Sequence, residues 1–224
     1  DARYEYYKHG PLARTSIGEQ RVQGVDYIYT IQGWLKSING DALDTTKDPS
    51  KDQFFHNAHA SDVAGISLDY FKGDYRPISD SAHAVNTLSP LNKGLYNGNI
   101  PRMHTNIKPF DPISARYNYD QLNRLIKAEY AYYSNEDTTL NNTADYKTAY
   151  EYDADGNLLS LVRNGNNPAQ QQMDSLQYYY QNSNNNKLIN VQDYIGNFYD
   201  NDIKQNLSFN QHYQYDAIGN LTKD

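Results

Sequence analysis

Two tyrosines separated by one residue, followed by a leucine six positions after the second tyrosine, recur along the whole chain. Tyrosines at i and i+2 point to the same face of a β-strand. The residues between the tyrosines and the leucine are rich in Asp, Asn and Gly, which favour turns. Each unit therefore predicts a β-hairpin. A single hairpin is marginally stable in water, so we expect the units to stack into one sheet that is stabilised by neighbour contacts.

Four copies of the unit supply the residues that we predict to be structural. They are Tyr27, Tyr29 and Leu35; Tyr117, Tyr119, Asp120 and Leu125; Tyr150, Tyr152, Asp153, Gly156 and Leu158; and Tyr213, Tyr215, Asp216, Gly219 and Leu221. The aspartate is expected to start the turn, and Gly (or Asn123, or Gly33 in a variant copy) to adopt positive φ. The leucine is expected to begin the next strand and to face the core.

Two further copies are less regular. Tyr4 and Tyr6 are followed by Leu12 at the same spacing, whereas Tyr178 and Tyr180 reach Leu188 with two extra residues in an Asn-rich turn. Between Leu35 and Tyr117 the repeat is interrupted. We interpret 40–110 as an irregular, insertion-rich part of the same sheet and 1–224 as a single repeat region.

Within that irregular part, Ile66-x-Leu68-x-Tyr70 alternates as a strand does. Asn97-Gly98 predicts a hairpin. Residues 41–52 and 80–91 are each expected to form a loop or a short helix, and Phe54, Phe55, His56 and His59 to lie on one helical turn.

The composition is polar, with 38% hydrophobic residues and a mean hydropathy of -0.90. These values alone favour disorder. The 23 tyrosines and 6 phenylalanines oppose that conclusion, since aromatic rings bury a large area and favour strands. We therefore expect a thin, extended sheet with much exposed surface.

Charge and residue usage narrow the function classes. The formal net charge is -7 and there is no cysteine, which excludes disulfides and thiol chemistry. No Lys/Arg run forms the basic patch that nucleic-acid binding normally needs. No apolar stretch is long enough for a membrane span. Neither a nucleic-acid partner nor a membrane span in this chain is therefore expected.

No catalytic or metal site emerges from the motifs. His56 and His59 lack the glutamate of a zinc hydrolase motif. Asp153, Asp155 and Asn157 resemble the start of a calcium loop, but Leu158 and Asn164 stand where that loop needs Gly and Glu. We therefore predict no enzyme activity, no cofactor and no metal, and attribute the 153–157 residues to a turn.

The segments 117–125, 150–158 and 213–221 resemble the Tyr-x-Tyr-Asp-x-x-Gly-Arg-Leu core of YD repeats, also called RHS repeats. The Arg place holds Arg124 once and Asn157 and Asn220 elsewhere. The family includes bacterial Rhs toxins, insecticidal toxin-complex proteins and animal teneurins. The resemblance covers about half of the chain and is weak across 40–110. The Asp-Pro-x-Gly-Leu ending of the segment that closes such shells is missing.

The resemblance implies an all-β fold, a curved antiparallel sheet of stacked YD-repeat hairpins within a β-spiral or shell, with one loop or short helix inserted. It also implies a bacterial protein that is secreted or at the cell surface. The chain is then a non-enzymatic piece of a larger scaffold, and its partners are the rest of its own shell and an enclosed or attached C-terminal effector domain. The alternative is a surface adhesin or carbohydrate-binding module that uses exposed tyrosines to bind glycans.

Overall fold

The structure of the chain is a computed structural model, which describes residues 1–44, 48–52, 59–76, 94–134, 137–182, 185–196 and 212–223. Within these residues the fold is all-β and contains no helix. The strands are β1 (Ala2–Tyr6), β2 (Leu12–Ile17), β3 (Gln23–Tyr29), β4 (Leu35–Ile38), β5 (Ala64–Asp69), β6 (Arg102–Ile107), β7 (Ile113–Tyr119), β8 (Leu125–Ser134), β9 (Asp137–Tyr152), β10 (Leu158–Asn164), β11 (Gln172–Asn182), β12 (Asn185–Asp193), β13 (Gln214–Tyr215) and β14 (Leu221–Lys223). None of the described residues lie in a helix that is long and apolar enough to cross a membrane.

The strands β1 to β12 form one open antiparallel sheet in which spatial order follows chain order. The hairpin β13–β14 forms a separate two-stranded sheet. A sheet in which each strand pairs with its neighbour in sequence is a meander, which needs only short connections. The all-β prediction and the stacking of hairpins into a sheet are therefore confirmed.

The chain divides into two compact units. Unit 1 comprises Asp1–Tyr117 and Ala131–Asn142, and unit 2 comprises Asn118–Tyr130 and Thr143–Asp224. The irregular part, 40–110, contributes β5 and β6 to the sheet, with β5 paired to β4 and to β6.

Ile66 and Leu68 lie in β5, as their alternation predicts. Asn97-Gly98 lies in the long connection between the antiparallel strands β5 and β6 and not in a two-residue turn directly between strands. The Asn97 side chain accepts the Asn99 N–H at 3.0 Å and so makes a local bend between β5 and β6. In 41–44 and 48–52 the chain forms turns and no helix, as the loop alternative predicts. Residues 45–47, 53–58 and 77–93, which include the expected loop or short helix at 80–91 and Phe54, Phe55 and His56 of the expected helical turn, lie outside the described residues.

The buried face of unit 1 is polar. In β5 the buried residues are Gly65, Ser67 and Asp69, and in β6 they are Arg102, His104 and Asn106. Fully buried apolar side chains are few in the described chain: Ile28, Tyr70, Ala115, Ala128, Ala131 and Leu176. The strands alternate as predicted, but the buried face of unit 1 carries hydrogen-bonding and charged groups where a leucine core was expected.

The repeat leucines do not fill a buried core, so that part of the prediction is wrong. Leu35, Leu125 and Leu158 are half-buried, and Leu221 is 52% exposed. The tyrosines of the four regular copies are likewise half-buried, whereas Tyr4 and Tyr6 are exposed. The rings and leucines thus cover the sheet surface only partly, which suits amphipathic tyrosine better than it suits a wholly apolar residue.

Each repeat turn contains one residue with positive φ at the same place. The angle is 83° at Gly33, 63° at Asn123 and 94° at Gly156 and Gly219. The turn prediction is confirmed at all four positions. A Cβ added at Gly156 would meet no atom within 4 Å, so the requirement for glycine there is conformational and does not come from crowding.

We expect Gly156→Val to destabilise the protein by about 1–3 kcal/mol, because a β-branched residue is strained at positive φ. Urea unfolding measures the change. The exposed neighbour variant Asp155→Asn is the control and should stay within about 0.5 kcal/mol of the wild type. Equal stability of Gly156→Val and wild type would contradict the turn assignment.

Candidate functional site: the tyrosine-turn unit

The turn of each unit is organised around its aspartate. The backbone N–H of Asp153 donates to the Asn157 carbonyl at 3.0 Å, and Gly156 N–H donates to the Asp153 carbonyl at 3.3 Å. The same pair of bonds forms at Asp120 and at Asp216, with distances between 2.9 and 3.2 Å. The aspartate side chain adds a third bond, since Asp153 Oδ1 accepts the Asn157 N–H at 2.8 Å. A local side-chain bond of this kind fixes a turn.

The residue four positions after the aspartate closes the turn with its side chain. Arg124 Nε donates to Asp120 Oδ2 at 2.6 Å. Asn157 and Asn220 make the same bond to Asp153 and Asp216, at 2.7 and 2.8 Å. Arginine and asparagine are therefore equivalent at this place because each offers an N–H donor to the same oxygen.

These hydrogen bonds stabilise the charged form of each turn carboxylate. The backbone and side chain of Arg124 lower the pKa of Asp120 below its usual value. The side chains of Asn157 and Asn220 do the same for the pKa of Asp153 and of Asp216. Both oxygens of Asp153 accept N–H groups of their own turn, as the turn interpretation of 153–157 expects.

A β-bulge follows the turn in five hairpins. In β9–β10, Leu158 pairs with Tyr152 and Ser160 with Glu151, so that Leu159 is the extra residue. The residue after the leucine is also extra in β1–β2, β3–β4, β11–β12 and β13–β14. A bulge interrupts the ladder of backbone hydrogen bonds locally. A backbone carbonyl beside it then needs another donor.

Tyrosine hydroxyls from the next repeat donate to the carbonyls of the repeat leucines. Tyr152 Oη donates to the Leu125 carbonyl at 2.9 Å, and Tyr180 Oη donates to the Leu158 carbonyl at 2.9 Å. Tyr215 makes the same bond to Leu188 at 3.0 Å. In unit 1, Tyr70 donates to the Leu35 carbonyl at 2.8 Å. In unit 2 the donor is each time the second tyrosine of a repeat, and the acceptor is the leucine of the repeat before it.

Side chains at the Arg place also reach the next repeat. The Arg124 guanidinium lies 4.7 Å from the centre of the Tyr152 ring, and its Nη1 donates to the Asp153 carbonyl at 2.8 Å. Lys187 Nζ lies 5.5 Å from the Tyr215 ring. Burial raises the pKa of Tyr152 and of Tyr180, so both hydroxyls remain protonated donors at neutral pH. Successive repeats of unit 2 are thus joined by hydrogen bonds and cation–π contacts.

Unit 1 holds a buried ion network on its polar face. Lys36 Nζ lies 2.7 Å from Asp69 Oδ1 and 2.9 Å from Asp74 Oδ1. Arg102 Nε donates to Asp69 Oδ2 at 2.6 Å, and His104 Nε2 lies 3.6 Å from the same oxygen. Lys36 is the extra residue of the β3–β4 bulge and is 1% exposed.

Two aspartates in this network face two cations, so its charges balance. Burial alone would raise the pKa of Asp69, but hydrogen bonding to His104 and the charges of Lys36 and Arg102 lower it to about 2. Such a network holds β4, β5 and β6 in register by charge pairing, and loss of one partner leaves an uncompensated buried charge.

The structure brings together the predicted turn residues within each repeat, but sequence reasoning missed the contacts between successive repeats. The hydrogen bonds from tyrosine hydroxyls to leucine carbonyls join residues 22 to 35 positions apart. Because this separation is not constant, the sequence does not predict them. Sequence reasoning also missed Lys36, Asp69 and Arg102, since charged residues are mostly exposed and their burial is not expected. No family model matches the chain, and no curated protein matches it significantly.

We expect Tyr180→Phe to lower the free energy of unfolding by about 1 kcal/mol, because the Leu158 carbonyl loses its donor. The matched control is Tyr178→Phe, in the same strand and also half-buried, for which no such carbonyl bond is seen. Chemical denaturation of both variants makes the comparison. A loss for Tyr178→Phe as large as that for Tyr180→Phe would show that the hydroxyl bond adds nothing specific.

The depressed pKa of Asp69 predicts a pH dependence. Its folded pKa of about 2 lies below the ordinary aspartate value of 3.8, so its contribution to stability is present above pH 3.8 and is lost as the pH falls towards 2. The shift corresponds to about 2 kcal/mol. A carbon-13 NMR titration of the Asp69 carboxyl reports the folded pKa directly. A midpoint at or above the ordinary aspartate value would contradict the charge-paired arrangement.

Proposed function

We propose that the chain is a non-enzymatic wall segment of an RHS-type β-shell that encloses or presents a C-terminal effector domain. The observation that carries the proposal is the repeated hydrogen bond from the second tyrosine of one repeat to the leucine carbonyl of the preceding repeat. A contact that repeats from unit to unit is what an array needs in order to grow as one continuous sheet.

The resemblance of 117–125, 150–158 and 213–221 to YD repeats supplies the rest of the proposal. The Asp, Gly or Asn, and Arg or Asn places of that pattern each make one defined bond within the turn. The residues of the repeat pattern thus have a structural role in the turn. This favours a wall, whose task is to exclude solvent and proteases, over a surface on which those residues bind a ligand.

The site of action follows from the same proposal. We place the parent protein outside the bacterial cell or at its surface, with the remaining shell and the effector as its partners. The adhesin alternative is disfavoured at Tyr152, Tyr180 and Tyr215, because their hydroxyls already donate to backbone carbonyls and are occupied when a sugar arrives.

Limited proteolysis of the natural full-length protein tests the wall function. We expect the segment that follows this chain to resist a protease in the wild type and to be digested when Gly156→Val disturbs the wall, while Asp155→Asn preserves the protection. Digestion of that segment at the same rate in the wild type as in the isolated segment would overturn the proposal. So would millimolar or tighter glycan binding to this chain that is lost on mutating exposed Tyr4 or Tyr6, which is the result the adhesin alternative predicts.

A further inference from the structure

A second group of buried charges lies in unit 1, apart from the network around Lys36. Arg14, on β2, donates from Nη1 to Asp26 Oδ2 and from Nη2 to Asp52 Oδ1, both at 2.6 Å. Ser50 Oγ donates to the other Asp26 oxygen at 2.6 Å. A Cβ at Gly24 would overlap the Arg14 guanidinium, so glycine at this position leaves room for it.

Two more carboxylates adjoin this group. Asp48 Oδ2 accepts the Asp52 N–H at 2.6 Å. Asp48 is 6% exposed, and its Oδ1 is a buried acceptor to which no described residue donates a hydrogen bond. Asp62 accepts a long bond from Gln23 at 3.4 Å. A buried carboxylate oxygen without a donor costs free energy unless a cation or a proton meets it.

Within the described residues, carboxylates outnumber the cations of this group. Four carboxylates (Asp26, Asp48, Asp52 and Asp62) accompany one guanidinium, that of Arg14. Lys108 reaches the backbone carbonyl of Asp62, at 3.4 Å. The Lys36 network, in contrast, matches two carboxylates with two cations.

The spacing of the oxygens fits a hard divalent cation. Asp26, Asp48 and Asp52 each offer a carboxylate oxygen, and the three oxygens lie within 4.8 Å of one another. Oxygens that ligate one Ca²⁺ at about 2.3–2.6 Å lie at most about 5 Å apart. Asp48 and Asp52, with Asp62, also line a cavity that Gly40, Leu43 and Asp44 complete.

We propose that Asp26, Asp48 and Asp52 bind one Ca²⁺ ion, with the undonated Oδ1 of Asp48 as a ligand and Asp62 beside it. All available ligand atoms are oxygens, which selects a hard cation over zinc or copper. The ion ties the loop that carries Asp48 and Asp52 to β3, which carries Asp26. Such a site lets a sheet with few buried apolar side chains gain stability wherever calcium is abundant.

Titration of the whole chain with CaCl₂, followed by calorimetry and by thermal melting against EDTA, tests the proposal. We expect one equivalent of Ca²⁺ to bind and to raise the melting temperature. Asp48→Asn should weaken binding about tenfold or more, as expected for loss of a charged ligand. In EDTA the same variant should melt at or above the wild type, because it removes one of the clustered charges.

That reversal separates a ligand from a purely structural residue, which would melt lower under both conditions. Asp155→Asn, in the turn that also resembles part of a calcium loop, is the matched control and should bind like the wild type. Absence of any Ca²⁺-dependent shift at millimolar CaCl₂ would overturn the proposal. Unchanged binding by Asp48→Asn, or loss of binding by Asp155→Asn instead, would overturn it as well.

Discussion

The hydrogen bond from a tyrosine hydroxyl to a leucine carbonyl is the contact on which the repeated sheet of unit 2 depends. At Leu158 and Leu188 the bulge after the turn interrupts the ladder beside the leucine, and a tyrosine of the next repeat donates to the leucine carbonyl. Phenylalanine fills the same space but has no hydroxyl. The bond therefore explains why the second ring of the repeat is tyrosine, and why one hairpin alone is incomplete.

The polar buried face of unit 1 follows from the same irregularity. A bulge shifts the side-chain alternation by one residue, and in β4 this leaves both Lys36 and Ser37 buried. The lysine is tolerated because Asp69 and Asp74 meet its charge. Charge pairing and hydrogen bonding thus give specific register to strands whose apolar area is too small to set it. Breaking one partner is correspondingly costly, since the remaining charge stays buried.

Local parts of this fold were predictable, and long-range parts were not. Asp153, Gly156 and Leu158 belong to one turn, so their spacing in the sequence predicts how they are arranged in the structure. The polar buried face of unit 1 was not predicted, because the alternation in a strand indicates which residues share a face but not which face is buried. Tyr180 contacts Leu158 of the preceding repeat, and the repeats differ in length. Asp26 lies near Asp48 and Asp52, which belong to the long connection between β4 and β5. Neither pairing has a fixed spacing that a single sequence reveals.

Tyrosine suits a sheet that buries few apolar side chains. Six apolar side chains are fully buried in the described residues, so leucine-rich strands would leave adhesive surface exposed. A half-buried tyrosine covers backbone with its ring and satisfies a carbonyl with its hydroxyl. The polar composition that first suggests disorder is therefore the composition that such a sheet requires, and its stability grows with each added unit through the contacts that the unit makes with its neighbour.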